Sequence, residues 1–338
     1  MPRLNLDCVL EILECSDHNT LYKFSFINRD YSKEAVRILW RDVWIRADLN
    51  NDLSNILITL IACLPDDSKE YFYEKYNEIS KTKSPWHKYA SYCKVLNIRI
   101  IKQAIKNFEK EFDNGYLLSE LLKMFMNEVG SLKSLECSNE DQFSSYPGAK
   151  HCLKNLSELK LYGTVINQEF FKQLSKSCRN IKTLDVNFFE NIYNDLAELI
   201  SKQENLTCVK LFQNYGCIVE TVLIQALSKQ TTIEILEINS SSNNDYVPNL
   251  SFIKKFKNLR ELCLYFSSKK AFKGFDELQV FRQLKVLKVP SSLPENNDLI
   301  KFLNTNGNTL EELHIAKDEV DSEISKICSD QSIRIIKS

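Results

Sequence analysis

The feature that most constrains this chain is a recurring triplet, an apolar residue followed by two more at +3 and +5. It appears at Leu132-Leu135-Cys137, Leu156-Leu159-Leu161, Ile181-Leu184-Val186, Leu206-Val209-Leu211, Ile233-Leu236-Ile238, Leu259-Leu262-Leu264, Leu284-Leu287-Val289 and Leu310-Leu313-Ile315, and it closes with a partial Ile333 and Ile336. Successive starts lie 24, 25, 25, 27, 26, 25, 26 and 23 residues apart. A fixed period of this length marks a stacked array, because one such unit cannot bury its apolar side alone and must lean on its neighbours. An earlier copy, Cys93-Leu96-Ile98, stands 39 residues before Leu132. Apolar-periodic stretches at Ile100–Phe112 and Tyr116–Val129 separate the two, so this copy reads as the first turn of the array with an enlarged unit.

Between the triplets, Gln168–Ser177, Tyr193–Lys202, Glu220–Lys229 and Leu299–Asn304 carry their apolar residues at helical spacing. Each unit is therefore expected to be strand, turn, helix, turn. The predicted fold class is α/β, a solenoid with parallel strands inside and helices outside, and the 43% hydrophobic content supplies a continuous core. The unit Leu156–Cys178 has the form L-x-x-L-x-L followed by Thr164, Ile166, Phe171, Leu174 and Cys178, and resembles the cysteine-containing class of leucine-rich repeat. Asn155, Asn180, Asn205 and Asn258 each stand just before a triplet, where such repeats often carry asparagine. Sequons begin at Asn155, Asn205, Asn239 and Asn249; they read as turn chemistry.

Residues 4–40 lack the repeat and divide into three helical patterns, separated by Ser16-Asp17-His18-Asn19 and Asn28-Arg29-Asp30. Asp17 or Asn19 is expected to cap the second helix, and Asp30 or Ser32 the third. Leu4-Asn5-Leu6-Asp7, Val9-Leu10, Ile12-Leu13, Leu21, Phe24, Ile27-Asn28-Arg29, Val36, Leu39 and Trp40 together resemble an F-box. Asn5, Asp7 and Tyr31 depart from its usual proline, glutamate and tryptophan. With the order of parts, the resemblance is to F-box leucine-rich-repeat proteins: an F-box over 1–46, a helical linker over 47–92 and a leucine-rich-repeat solenoid over 93–338. It implies a non-catalytic substrate-recognition subunit of an SCF-type ubiquitin ligase, whose partners are a Skp-type adaptor, cullin and RING subunits through it, and a protein substrate. By position it implies that Leu4, Leu6, Val9, Leu10, Ile12, Leu13, Leu21, Phe24 and Ile27 form the adaptor-facing and core surfaces. The other reading of these helices is a plain cap on the open end of the array, which would suit a leucine-rich-repeat scaffold or inhibitor without a ubiquitin link. Trp86 and Tyr89, in the linker, are expected to pack beneath the first strand.

Alternate strand side chains face opposite ways. With triplet positions one, four and six inside, positions three, five and seven look out. That row runs Glu158-Lys160-Tyr162, Thr183-Asp185-Asn187, Cys208-Lys210-Phe212, Ile235-Glu237-Asn239, Glu261-Cys263-Tyr265 and Glu312-His314-Ala316. The candidate substrate-binding residues are Lys160, Tyr162, Asp185, Asn187, Lys210, Phe212, Glu237, Asn239, Tyr265 and His314. Position seven alternates aromatic and amide side chains, a source of binding hot spots. The same rings could instead pack on lateral neighbours, and Lys160, Asp185, Lys210 and Glu237 could simply pair across strands.

Other chemistries have little footing. Lysine plus arginine total 44 against 45 acidic residues, which argues against a nucleic-acid footprint. The four histidines, His18, His87, His151 and His314, have no metal-ligand spacing. Neighbouring His151-Cys152 and the short Cys328-x-Asp330 do not make a nucleophilic site, and the dispersed glycines form no phosphate loop. No cofactor, metal or enzymatic activity is expected. The 11 cysteines lack C-x-x-C pairing and read as reduced, mostly buried thiols. The apolar run Ile56–Leu64 is too short for a bilayer, and Asp7 interrupts any leader-like start. The expected location is cytoplasmic, nuclear or both.

Overall fold

The computed structural model describes residues 5–46, 52–75, 85–108, 114–138, 141–163, 168–188, 193–213, 221–240, 249–278, 280–290, 292–316 and 322–337. The chain forms two compact units, one of residues 1–137 with 141–156, the other of 138–140 with 157–338.

The first unit opens with α1 (Leu6–Glu14), α2 (His18–Phe24) and α3 (Arg29–Leu39), followed by a 3-10 segment Trp40–Arg46. Each helix starts on a side-chain cap. Asn5 accepts the Asp7 N–H at 3.4 Å, Asp17 that of Thr20 at 2.8 Å, and Asn28 that of Tyr31 at 3.0 Å. The expected Asp17 cap is thus present, but Asn28 rather than Asp30 or Ser32 caps α3. An extended residue immediately before the first turn can reach its free N–H groups, whereas residues 30 and 32 are already helical. Val9, Leu13, Leu21 and Ala35 form the core, with Phe24, Tyr31, Ile38 and Leu39 packed against it.

Three further helices follow, α4 (Asp52–Ala62), α5 (Asp66–Lys75) and α6 (Tyr89–Tyr92). Leu57, Leu60, Ile61, Leu64 and Phe72 are buried among them. The unit ends with β1 (Val95–Asn97), α7 (Ile98–Phe108), α8 (Asn114–Glu128), β2 (Ser134–Ser138), a 3-10 turn Gln142–Ser145 and α9 (Ala149–Leu153). The enlarged first unit read from sequence is this pair of helices between two parallel strands, with Leu96 opposite Leu135. Trp86 departs from expectation: it is 94% exposed, not under the first strand. Trp44 is buried instead and donates its indole N–H to the Val95 carbonyl at 2.8 Å, while Tyr89 packs on Trp40 with ring centroids 4.7 Å apart.

The second unit alternates β3 (Glu158–Gly163), α10 (Gln168–Ser177), β4 (Thr183–Phe188), α11 (Tyr193–Ser201), β5 (Cys208–Gln213), α12 (Thr221–Ser228) and β6 (Ile235–Ser240). It continues through β7 (Glu261–Phe266), β8 (Val286–Val289), α13 (Asn296–Asn306), β9 (Glu312–Ile315), α14 (Ser322–Asp330) and β10 (Arg334–Lys337). Strands β3 to β10 lie side by side in sequence order, all parallel. This is a solenoid-like α/β arrangement, in which each strand pairs with the one a turn later. Leu159, Leu184, Val209, Leu236, Leu262, Leu287 and Leu313 stand in one register row and are fully buried. Burying such a side chain contributes about 1.5–3 kcal/mol, so the row is the spine of the unit.

Backbone bonds repeat with the same period. The Ser157 carbonyl accepts from Lys182 and Thr183, Lys182 from Thr207 and Cys208, Thr207 from Glu234 and Ile235, and Glu234 from Arg260 and Glu261. Buried amides staple the helix ends. Gln203 accepts the Ile181 N–H at 3.0 Å and donates to the Cys178 and Leu199 carbonyls at 3.1 and 2.8 Å. Gln230 donates to the Ile200 carbonyl at 2.8 Å, and Asn306 accepts from Phe281 N–H at 2.7 Å. These amides satisfy backbone groups that would otherwise be stranded away from water.

Two expectations change here. The crossovers after β6 and β7 are not α-helical among the described residues: they carry 3-10 segments Leu250–Lys255, Lys269–Phe272 and Phe275–Glu277. Gly274, with φ of 82°, breaks the second crossover, and phenylalanine rings fill the core there, Phe272 against Phe275 at 5.9 Å and Phe275 against Phe302 at 5.1 Å. At the end of the sheet, Ile335 rather than Ile336 stands opposite Leu313. The residue before Ile333, Ser332, takes a left-handed φ of 59°, and the last strand pairs one residue earlier than the apolar spacing predicts. Among the described residues, no helix is long and apolar enough to cross a membrane.

Candidate functional site

A parallel sheet is usually covered on both faces. Among the described residues of the second unit, one face is only partly covered. Along β3 and β6 burial alternates strictly, with positions four and six buried and positions three, five and seven only partly so. The first set belongs to the core, and the second set forms the more exposed face among the described residues. Register aligns its position-five row as Lys160, Asp185, Lys210, Glu237, Cys263, Lys288 and His314. Position seven aligns as Tyr162, Asn187, Phe212, Asn239 and Tyr265. All ten substrate-binding candidates therefore lie on one face, and all are partly buried.

The charges on this face are largely spent on one another. Lys210 Nζ lies 3.3 Å from Glu237, Lys288 Nζ 2.6 Å from Glu261, and Lys160 Nζ 3.0 Å from Glu158. Glu312 receives His314 at 3.0 Å and also pairs with Arg334. Burial works against the Lys210 ammonium, yet the Glu237 carboxylate outweighs it and raises the pKa. The hydrogen bond from Lys288 to Glu261 raises that lysine in turn. For Glu261, burial pushes the carboxyl up, but the bonds from Lys288 and the Cys263 thiol hold it below its usual value.

Cys208 and Cys263 do not sit as the sequence suggests. Both occupy outward positions, yet Cys208 is 8% exposed and Cys263 1%. Cys263 donates its thiol to Glu261 at 3.3 Å, and the Lys288–Glu261 pair lies beside it. Burial foremost, then the neighbouring Glu261, drives the Cys263 pKa upward, so this thiol is a covered packing group. Lys288, missing from the sequence-derived row, belongs to it. Its signal was available, since Val286-Lys288-Pro290 occupies positions three, five and seven of the triplet that starts at Leu284.

The N-terminal helices place the other candidate residues. Val9, Leu13 and Leu21 are core residues and cannot themselves present a surface. Phe24 packs against that core, and Leu10 is partly buried. Ile12 and Ile27 are 47% and 57% exposed. Leu4 lies outside the described residues; Leu6 begins α1, and its side chain also lies outside the description. Sequence reasoning missed Tyr22 and Phe26, which are 57% and 72% exposed and meet edge to face at 5.0 Å. Tyr22 lies on α2 and Phe26 in the turn after it, and apolar spacing alone does not mark which rings face outward. Glu14 is tied to Arg37 and Arg41, and the Arg41 hydrogen bond holds its carboxyl below the usual range. This pair is well exposed and contributes little to stability.

No protein-family model matches the chain, and no curated protein matches it either.

Proposed function

We propose that this chain is a non-catalytic substrate-recognition subunit of an SCF-type ubiquitin ligase, an F-box protein with leucine-rich repeats. On this reading the N-terminal helices dock a Skp-type adaptor, which brings the cullin and RING subunits. The more exposed sheet face of the second unit holds the protein client, and ubiquitin transfer is the work of the other subunits. A cytoplasmic or nuclear location belongs to the same reading.

The observation that carries it is the N-terminal cluster's division of apolar residues. Val9, Leu13, Leu21 and Ala35 already close a core, yet Ile12, Tyr22, Phe26 and Ile27 are left to solvent. Tyr22 and Phe26 meet edge to face at 5.0 Å, and exposed apolar rings in contact on a small helical cluster suit a contact surface. A mere cap on a repeat array has the opposite need, a polar outer face.

The test is recovery of the Skp-type adaptor with the full chain and with a Leu10→Asp, Ile12→Asp variant. The wild-type chain is expected to retain the adaptor and the variant to lose it, because a carboxylate forced into an apolar contact is desolvated without a partner. If the wild-type chain does not retain the adaptor, the scaffold or inhibitor reading takes its place.

A further inference from the structure

We infer that the crossover side of strands β7 and β8 carries a docking groove for an acidic, leucine-containing segment of a partner protein. It is built from other residues than those assigned to adaptor and client, and the inference stands without the ligase reading.

Charge distribution is the first argument. The whole chain balances 44 lysines and arginines against 45 acids, but residues 254–288 hold ten against three. Four of the ten are spent in ion pairs, Lys254 with Glu277, Arg260 with Glu234, Lys285 with Glu311 and Lys288 with Glu261. Lys255, Lys257, Lys269, Lys273 and Arg282 are exposed and carry no ion pair among the described residues. A surface charged only for solubility intersperses both signs, because unbalanced like charges repel one another.

Placement is the second argument. Lys257 and Arg282 each stand two residues before a triplet, those of Leu259 and Leu284. The strands that follow are in register, Glu261 opposite Val286, so the two cations hold the same place in consecutive turns. Beside the 3-10 segment Phe275–Glu277 lies a groove of about 680 Å³, within the roughly 300–1,000 Å³ of clefts that hold small ligands. Lys257, Arg282 and Lys301 line it with Asp276, Leu278 and Val280. Glu277 also borders it, but its carboxylate is met by Lys254 at 3.5 Å and by the Asn249 amide at 3.4 Å. Lys301 Nζ reaches the Asp276 backbone carbonyl at 3.3 Å, a neutral partner that leaves its charge in place. Among the described residues, three cations therefore share the groove with Asp276 as the acid outside an ion pair.

The apolar lining decides the occupant. Val280 is 58% exposed and shares the groove with the covered Leu278. An aliphatic side chain set on Val280 removes apolar surface from water, while flanking carboxylates meet the cations, and the Arg282 guanidinium suits one of them bidentately. A phosphate chain or a nucleic-acid backbone uses the cations but has no partner for Val280.

The experiment is fluorescence anisotropy of the full chain with a fluorescein-labelled nonapeptide that repeats Glu-Glu-Leu. Beside it run the same peptide with glutamine for glutamate and one with serine for leucine. The Glu-Glu-Leu peptide should bind more tightly than either control, and more weakly as salt rises from about 0.05 to 0.5 M. Lys257→Glu, Arg282→Glu together should weaken it by at least about tenfold. Lys176→Glu, Lys202→Glu, the same charge change on α10 and just after α11, should leave it unchanged. Val280→Ser should bring the leucine peptide down to the serine one with an unchanged thermal transition. Equal binding of the glutamine peptide, equal binding by the Lys257 and Arg282 variant, or an equal loss in the Lys176 and Lys202 variant overturns the inference. So does displacement of the peptide by inorganic pyrophosphate at lower concentration than by unlabelled peptide, or tighter binding of oligodeoxythymidine or of phosphatidylserine vesicles.

Discussion

Cys93 shows how a single residue's environment becomes a property of the whole chain. The residue is buried, and its thiol donates to the Val95 carbonyl at 2.7 Å. Burial pushes its pKa from 9.0 up to about 12, and Cys152 is likewise pushed up to about 12. In the unfolded chain these thiols lose their protons near pH 9, while in the folded chain they keep them. Above that pH the unfolded state binds fewer protons, so stability falls as pH rises. The contribution is complete below pH 9 and drains away toward pH 12, at up to about 1.4 kcal/mol per pH unit for each thiol. Urea denaturation from pH 7 to 10.5 should show this decline, and Cys93→Ala should make it shallower whatever its effect on absolute stability; an identical slope would contradict the assignment. That the cysteines would be mostly buried was legible from their scattered placement: of the ten described, seven are buried. That Cys263 would be buried beside the Lys288–Glu261 pair was not, because alternation alone assigns a face and says nothing of what packs over it. The buried amides Gln203 and Gln230 were missed for a related reason: polar residues at helix ends read as solvent-facing until the backbone groups needing them are in place.

At the scale of elements, periodicity told more than propensity. Every triplet from Leu156 through Leu310 became a strand in the anticipated register, because shifting one residue would turn each leucine of the row into water. At the last copy, where Ser332 takes a left-handed φ of 59°, the register moved by one. Helices α10 to α13 were likewise legible in their 3.6-residue spacing. The crossovers after β6 and β7 were not, since the rings of Phe252, Phe256, Phe272 and Phe275 fill the core from short 3-10 segments. Gly274 is the hinge of that arrangement. Its φ of 82° suits glycine, and an added Cβ would run into the Asn249 side chain, which caps the Leu250–Lys255 turn through the Ser251 N–H at 2.7 Å. Gly274→Ala should therefore cost about 1–3 kcal/mol in urea unfolding, from backbone strain and a disturbed cap together. A change within experimental error would show that the 3-10 turns relax freely.

For the molecule as a whole, the proposed function rests on two surfaces: the exposed apolar residues of α1, α2 and the turn after it, and the aromatic-edged face of β3 to β7. The first was only partly legible, because helical periodicity locates a cluster's core and surface faces without saying which apolar residues fill the core. Val9, Leu13 and Leu21 did, leaving Ile12, Tyr22, Phe26 and Ile27 outside. The second was legible in all but Lys288 and the two covered thiols. The most direct test of the account is amide hydrogen exchange of the full chain with and without a purified Skp-type adaptor. Slowed exchange concentrated in residues 6–28, with the strands β3 to β7 unchanged, is the predicted result. Adaptor-dependent protection on the sheet face, or none over residues 6–28, would contradict it.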